Sequence, residues 1–251
     1  MMNRGTDGFG CAWIHNDKNR GRYIKQIIKS PKNYDDGVNV EHMKYIHSEM
    51  NIGDVLIGIQ RAQPETEPAV DSENIEKTMQ PICSDKQNLV VVHNGAVMKR
   101  IHEELKTWAQ DSGEYAFGTE IDSESILAAY VKYRSNMKSA MEYLSGGFAL
   151  IMFDELKDCL YICNDHMQLS QGYSKTIGGY MLHSENEVLT EIIESAHGCT
   201  KNGVCVWENF YNHYFSGHNI YHLDLPSGFL AKQKFTPRYI VGNTFDSKRV
   251  E

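Results

Sequence analysis

Two apolar runs, Gly147–Phe153 and Cys159–Cys163, are joined by only five residues, Asp154-Glu155-Leu156-Lys157-Asp158. So short a polar link cannot carry a crossover, so the two runs must pair as an antiparallel hairpin. Upstream, Asp54–Gln60 and Asn88–His93 are nearly continuous in aliphatic residues. Such runs read as strands buried on both faces. A further strand is expected over Gly179–His183, and another over Gly10–Ile14. Helical spacing appears in Val97–Ala109, where Val97, Ile101, Leu105 and Trp108 share a face. It recurs in Ser123–Tyr133, with Asp122 placed to cap the N-terminus, and a third helix is expected over Glu185–Ala196 behind Ser184. Antiparallel strands with grouped helices give an α+β fold rather than a doubly wound sheet. Weaker strand patterns at Val204–Trp207, Ile220–Leu225 and Tyr239–Val241 form a C-terminal extension, residues 198–251, on a main domain of residues 1–197.

Gln63–Pro81 lacks apolar periodicity and holds Pro64, Pro68, Pro81 and five acidic residues. It reads as an irregular, exposed excursion of the kind that often carries function. A formal net charge of −8 disfavours a nucleic-acid partner, which would need basic surface. No run approaches the roughly 18 apolar residues of a membrane span, and the polar start Met1-Met2-Asn3-Arg4-Gly5 lacks a signal-peptide pattern. Six cysteines in 251 residues do not form a disulfide framework, so a reducing, cytoplasmic setting is expected.

Four short motifs carry candidate chemistry. Arg4-Gly5-Thr6-Asp7-Gly8 is a glycine-rich turn entering a strand. Arg61 ends a strand and offers a planar fork of donors that suits a carboxylate. In His93-Asn94-Gly95, the Asn94 amide and the Gly95 N–H can donate together to an oxyanion, or the pair simply makes a strand-to-helix turn. Asp122 can cap the following helix, receive an ammonium group, or do both. A carboxylate receiver, an oxyanion donor pair and an ammonium receiver together recognise an α-amino acid and favour acyl transfer on its side chain. A nucleophile is not evident among them.

In their shared order, these pieces resemble the class II glutamine amidotransferase domain of asparagine synthetase and glucosamine-6-phosphate synthase. The matching segments are Arg4-Gly5-Thr6-Asp7-Gly8, Gly58-Ile59-Gln60-Arg61, Gln80-Pro81, Val90-Val91-Val92-His93-Asn94-Gly95, Asp122-Ser123-Glu124-Ser125-Ile126, Leu144-Ser145-Gly146-Gly147-Phe148-Ala149-Leu150 and Ser184-Glu185. They span roughly residues 4–195. The resemblance implies a four-layer αββα sandwich of the N-terminal-nucleophile hydrolase type, with two antiparallel sheets between helices. It implies that Arg61 binds the α-carboxylate of glutamine, Asp122 its α-ammonium group, and that Asn94 and Gly95 form the oxyanion hole. It implies no cofactor and no metal. Its activity would be glutamine amide hydrolysis, with ammonia passed to a partner synthase.

The family attacks with an N-terminal cysteine whose free α-amino group, of pKa near 7.7–8.0, relays the proton. Here Met2 stands at that place, and the cysteine-bearing strand is expected to be missing. After Arg61, Ala62-Gln63-Pro64 replaces the family's usual Trp-Ala-Thr or Leu-Ala-Ile. Cys11 is an internal residue of a core strand and a poor substitute, while Cys159 and Cys163 read as small core residues. A non-catalytic amino-acid-binding domain is therefore the rival reading, and an N-terminal-nucleophile hydrolase of another amide is a third. Ser145-Gly146-Gly147 lacks the acid and serine of a pyrophosphatase phosphate loop and reads as a turn into a strand. His213, His218 and His222 lie among aromatics with no carboxylate nearby in sequence but Asp224 and do not read as a metal centre, and Trp207, Phe210, Tyr211, Tyr214 and Phe215 read as packing.

Overall fold

The structure, a computed structural model, describes residues 7–17, 19–61, 72–144, 146–165, 167–174, 179–190 and 217–237. In chain order the elements are β1 (Gly8–Asp17), β2 (Arg22–Ser30), α1 (Gly37–Glu49), β3 (Val55–Arg61), α2 (Ile75–Thr78), β4 (Ile82–Ser84), β5 (Leu89–Val97), α3 (Lys99–Ser112), α4 (Glu124–Lys132), α5 (Met137–Tyr143), β6 (Gly146–Asp154), β7 (Cys159–Asp165), β8 (Ser170–Ser174), β9 (Gly179–His183), β10 (Asn219–Asp224) and β11 (Leu230–Lys234). A three-stranded sheet runs β2-β1-β3, a six-stranded sheet β11-β10-β7-β6-β5-β4, and β8 pairs β9. Every strand pairing is antiparallel.

The alternation of side chains along each strand builds the layers. On β1, Ala12 and Ile14 meet Val55 and Ile57 of β3 and pack on Val90, Val92, Phe153, Leu160 and Leu223 of the larger sheet. The intervening residues Phe9, Cys11 and Trp13 face the opposite way and pack on Met43 and Ile46 of α1. The far face of the larger sheet, through Val91, Phe148, Leu150 and Met152, carries α3, α4 and α5. The order is helix, sheet, sheet, helix, so the αββα sandwich expected from the sequence is present. Among the described residues no helix is long and apolar enough to cross a membrane.

The hairpin forms as expected, with Asp154 opposite Cys159. Its loop is closed by the Asp154 carboxylate, which accepts from the Leu156 and Lys157 amides at 3.0 and 3.2 Å. Asp158 takes the left-handed conformation, φ 49°, that the turn requires.

Three expectations need correction. The β3 run is not buried on both faces: Val55 and Ile57 are buried but Leu56 is 37% exposed, because β3 is an edge strand. The excursion ending at Pro81 is not exposed throughout, since Thr78, Met79 and Gln80 are buried. The helix expected from Val97 begins at Lys99, because β5 extends through Val97. The elements β2 and α1 were not anticipated at all. Ile220–Leu225 does contain a strand, β10, whereas Val204–Trp207 and Tyr239–Val241 lie outside the described residues. Residues 186–190 are helical, Glu185 precedes the helix, and residues 191–196 also lie outside.

Candidate functional site

Gln80 is the hub of the site. Its side-chain amide accepts from the His93 N–H at 2.6 Å and donates to the His93 carbonyl at 2.9 Å. The same Nε2 reaches the Ser123 hydroxyl at 3.3 Å. Ser123 Oγ lies 2.8 Å from Nδ1 of the buried His93 ring and 3.4 Å from an Asp122 carboxylate oxygen. One glutamine thus ties the segment before β4, the middle of β5 and the turn before α4 into a closed polar cluster. The backbone approaches tightly here as well: a Cβ on Gly10 of β1 would fall 1.9 Å from the Gln80 carbonyl oxygen. Burial without a countercharge lowers the His93 pKa to about 4, so its imidazole is neutral at physiological pH.

Arg61 is buried, and its guanidinium donates through Nη1 to the Thr78 carbonyl, two residues from Gln80. By alternation from Val55 and Ile57, Arg61 occupies the face of β3 turned toward the larger sheet. Asn94 follows Val90 and Val92 on the face of β5 turned toward the smaller sheet, at an exposed position. Arg61 and Asn94 therefore border the same gap between the sheets.

The Asn-Gly pair is not a strand-to-helix turn. Asn94 and Gly95 lie within β5, opposite Ala149 and Phe148 of β6. Gly95 has φ 134°, and a Cβ there would sit 2.0 Å from the Gly147 carbonyl oxygen. Only glycine fits both that conformation and that approach. Gly146 and Gly147 begin β6 opposite Val97 and Ala96. Asp122 does not cap α4 either: its Oδ2 accepts from the Val97 N–H at 2.5 Å, across to the end of β5. Asp122 is held in place by its neighbour Glu124, whose buried carboxylate takes the Tyr115 hydroxyl at 3.0 Å and the Gly118 and Thr119 amides at 2.9 and 2.7 Å. The loop leading into Asp122 is thereby anchored to the start of α4.

Residues 68–191 match the family model of the glutamine amidotransferase domain. Those residues, about half of the chain, carry the sequence pattern of that domain. The fold agrees. The structure is similar to the glutamine phosphoribosylpyrophosphate amidotransferase of B. subtilis solved with ADP and GMP, at TM-score 0.61 and 16% identity, over 93% of this chain and 44% of that one. It is also similar to a structure described as the allosteric regulatory enzyme of purine biosynthesis, at TM-score 0.62 and 18% identity, again over 93% and 44%. The chain thus spans less than half the length of either. No curated protein sequence matches it.

The described thiols are all buried or partly buried and held in their protonated form. Cys11 lies on the α1 side of β1, its Sγ 3.7 Å from the Met43 sulfur, and burial pushes its pKa up to about 11. Burial likewise raises Cys83 to about 11, Cys159 to about 12, and Cys163 further. All four are unpaired. His218 lies 2.8 Å from the Asp165 carboxylate and His222 stacks on Tyr161, while His213 and the aromatic residues 207–215 lie outside the described residues. Sequence reasoning assigned no role to Gln80, His93 or Ser123. The available signal was a histidine closing an unbroken aliphatic run, a place where an unsatisfied polar group would be costly.

Proposed function

We propose that the domain binds free glutamine in the gap bordered by Arg61, Asn94 and the Asp122 turn, and hydrolyses its side-chain amide. Arg61 receives the α-carboxylate through its rigid fork of donors, and Asp122 the α-ammonium group. The Asn94 amide and Gly95 N–H donate to the oxygen that gains charge when the amide carbonyl is attacked. The released ammonia passes to a synthase domain or partner protein, in a reducing, cytoplasmic compartment. The observation that supports this reading is the Gln80 cluster, which joins the segments bearing Asn94 and Asp122, while Arg61 is held to the segment of Gln80 through the Thr78 carbonyl.

A second reading, binding without turnover, is favoured by the described thiols, all of which burial holds above their ordinary pKa. Calorimetric titration with L-glutamine, paired with an assay of glutamate release, separates the two. Saturable binding with glutamate release supports the amidotransferase reading, and binding without release supports the second. In either case Arg61→Ala and Asp122→Asn should each weaken binding about tenfold or more, the worth of a charge-assisted contact. Circular dichroism of each variant confirms that the fold persists. Absence of binding by the wild-type chain sinks both readings.

A further inference from the structure

His93 is a buried titratable ring to which the proposed chemistry gives no part. By alternation from Val91 it lies on the face of β5 turned toward α3, α4 and α5, where it meets the Phe148 ring edge-on at 6.2 Å between centroids. The imidazole is neutral at physiological pH. Its two nitrogens have unlike surroundings. Nδ1 lies 2.8 Å from the Ser123 hydroxyl, while Nε2 is buried with no hydrogen-bond partner among the described residues. That asymmetry, read together with Gln80, settles where the hydrogens of the cluster sit.

Gln80 is fixed first. Its Oε1 accepts from the His93 N–H, so its Nε2 is the donor, with one hydrogen on the His93 carbonyl and the other aimed at Ser123 Oγ. Ser123 Oγ thus accepts once already, and keeps one hydrogen to give and one lone pair to fill. A neutral imidazole carries its proton on one nitrogen only. With the proton on Nε2, a buried donor would face no acceptor, and the Ser123 hydrogen would be spent on Nδ1. With the proton on Nδ1, the ring donates to Ser123 Oγ, and the hydroxyl turns its hydrogen to Asp122 Oδ1 at 3.4 Å. The second arrangement leaves a bare lone pair at Nε2 instead of an orphaned N–H, which is the rarer and costlier fault in a protein interior.

Donation therefore runs in one direction, from Gln80 and His93 to Ser123 and on to Asp122. Asp122 receives a donor on each oxygen, Ser123 on Oδ1 and the Val97 N–H on Oδ2, and the two together fix the plane of its carboxylate. Ser123 is 1% exposed and out of a ligand's reach, whereas Asp122 is only partly buried. We infer that Ser123 is a positioning residue for the α-amino group of the substrate. Its hydroxyl, oriented by His93 and Gln80, holds the Asp122 carboxylate at the angle that receives an ammonium group. It thereby sets the preference for an α-amino acid over the same molecule without its amino group. This role rests on the proposal that Asp122 is the ammonium receiver.

Two measurements on the full chain test it. In ¹⁵N NMR of the histidine-labelled protein at neutral pH, the His93 signals, identified by their loss in His93→Gln, should report the proton on Nδ1. Calorimetric titration with L-glutamine and with 4-carbamoylbutanoate, which is glutamine without its α-amino group, should show the wild type preferring glutamine. Ser123→Ala should weaken L-glutamine binding about fivefold, the worth of one hydrogen bond, and leave 4-carbamoylbutanoate binding unchanged. Ser123→Thr, which keeps the hydroxyl, should retain the wild-type preference. Merely structural damage would weaken both ligands alike. The positioning role is overturned by a proton on Nε2, or by an unaltered preference in Ser123→Ala while the wild type still binds glutamine. A wild-type chain that binds no glutamine instead overturns the amino-acid reading itself, and this role with it.

Discussion

In the six-stranded sheet, β5, β6 and β7 bury side chains on both faces, one row against the smaller sheet and the other against α3, α4 and α5. In the three-stranded sheet only β1 is enclosed, while β2 leaves Ile24 41% exposed and β3 leaves Leu56 37% exposed. The difference is one of neighbours rather than composition, since both sheets are rich in aliphatic residues. It also sorts the polar groups. Where the larger sheet is enclosed, His93 and Gln80 are paired with each other's chain, whereas on β2 Lys25 and Lys29 are paired by charge, with Glu155 at 3.1 Å and Glu76 at 2.8 Å. In the proposed site, Asn94 comes from the enclosed sheet and Arg61 from the more open one.

Three substitutions sharpen or break that contrast. The largest effect is expected at Gly95→Ala, where the added methyl would meet the Gly147 carbonyl and the left-handed φ is lost to strain. A destabilisation of about 4 kcal/mol follows, read by chemical denaturation. A loss below about 1 kcal/mol would mean that β5 and β6 separate easily there. Next comes His93. Its folded pKa of about 4 lies below the ordinary 6.5, so the unfolded chain binds more protons between those values. The stability of the neutral, buried ring is fully present above pH 6.5 and lost as pH falls toward 4, by about 3 kcal/mol in all. His93→Gln should flatten that part of the stability–pH profile, and an unchanged slope would show that other groups set it. The smallest effect belongs to Ile24→Thr on β2, expected within about 0.5 kcal/mol because its side chain is already half in water. A cost above about 1.5 kcal/mol would erase the contrast between the sheets.

The legible parts of the fold were those in which one residue type repeats with a clear period. The Gly147–Cys163 hairpin and the Leu89–His93 run announced themselves because both faces need apolar residues. The elements β2 and α1 did not, since Arg22–Ser30 mixes Arg, Lys and Gln with its aliphatics, and α1 fully buries only Asn39 and Ile46. The site was legible as a set of motifs but not as an assembly. Gln80 stood out only as part of the short Gln80-Pro81 segment, with no role attached, and its role depends on a pairing with His93 thirteen positions away. Asp122 had every local feature of a helix cap, yet tertiary contact with Val97 overrode that preference.

The Gln80 amide has a consequence for the border of the larger sheet. The backbone ladder between β4 and β5 stops at Ile82 opposite Val91, two residues short of His93. Beyond that point the side chain of Gln80 acts as an artificial rung, satisfying a main-chain donor and acceptor that no strand reaches. A stray polypeptide seeking to add itself alongside finds that place already occupied, so a single carboxamide closes a flank that other proteins must guard with charge or a covering loop.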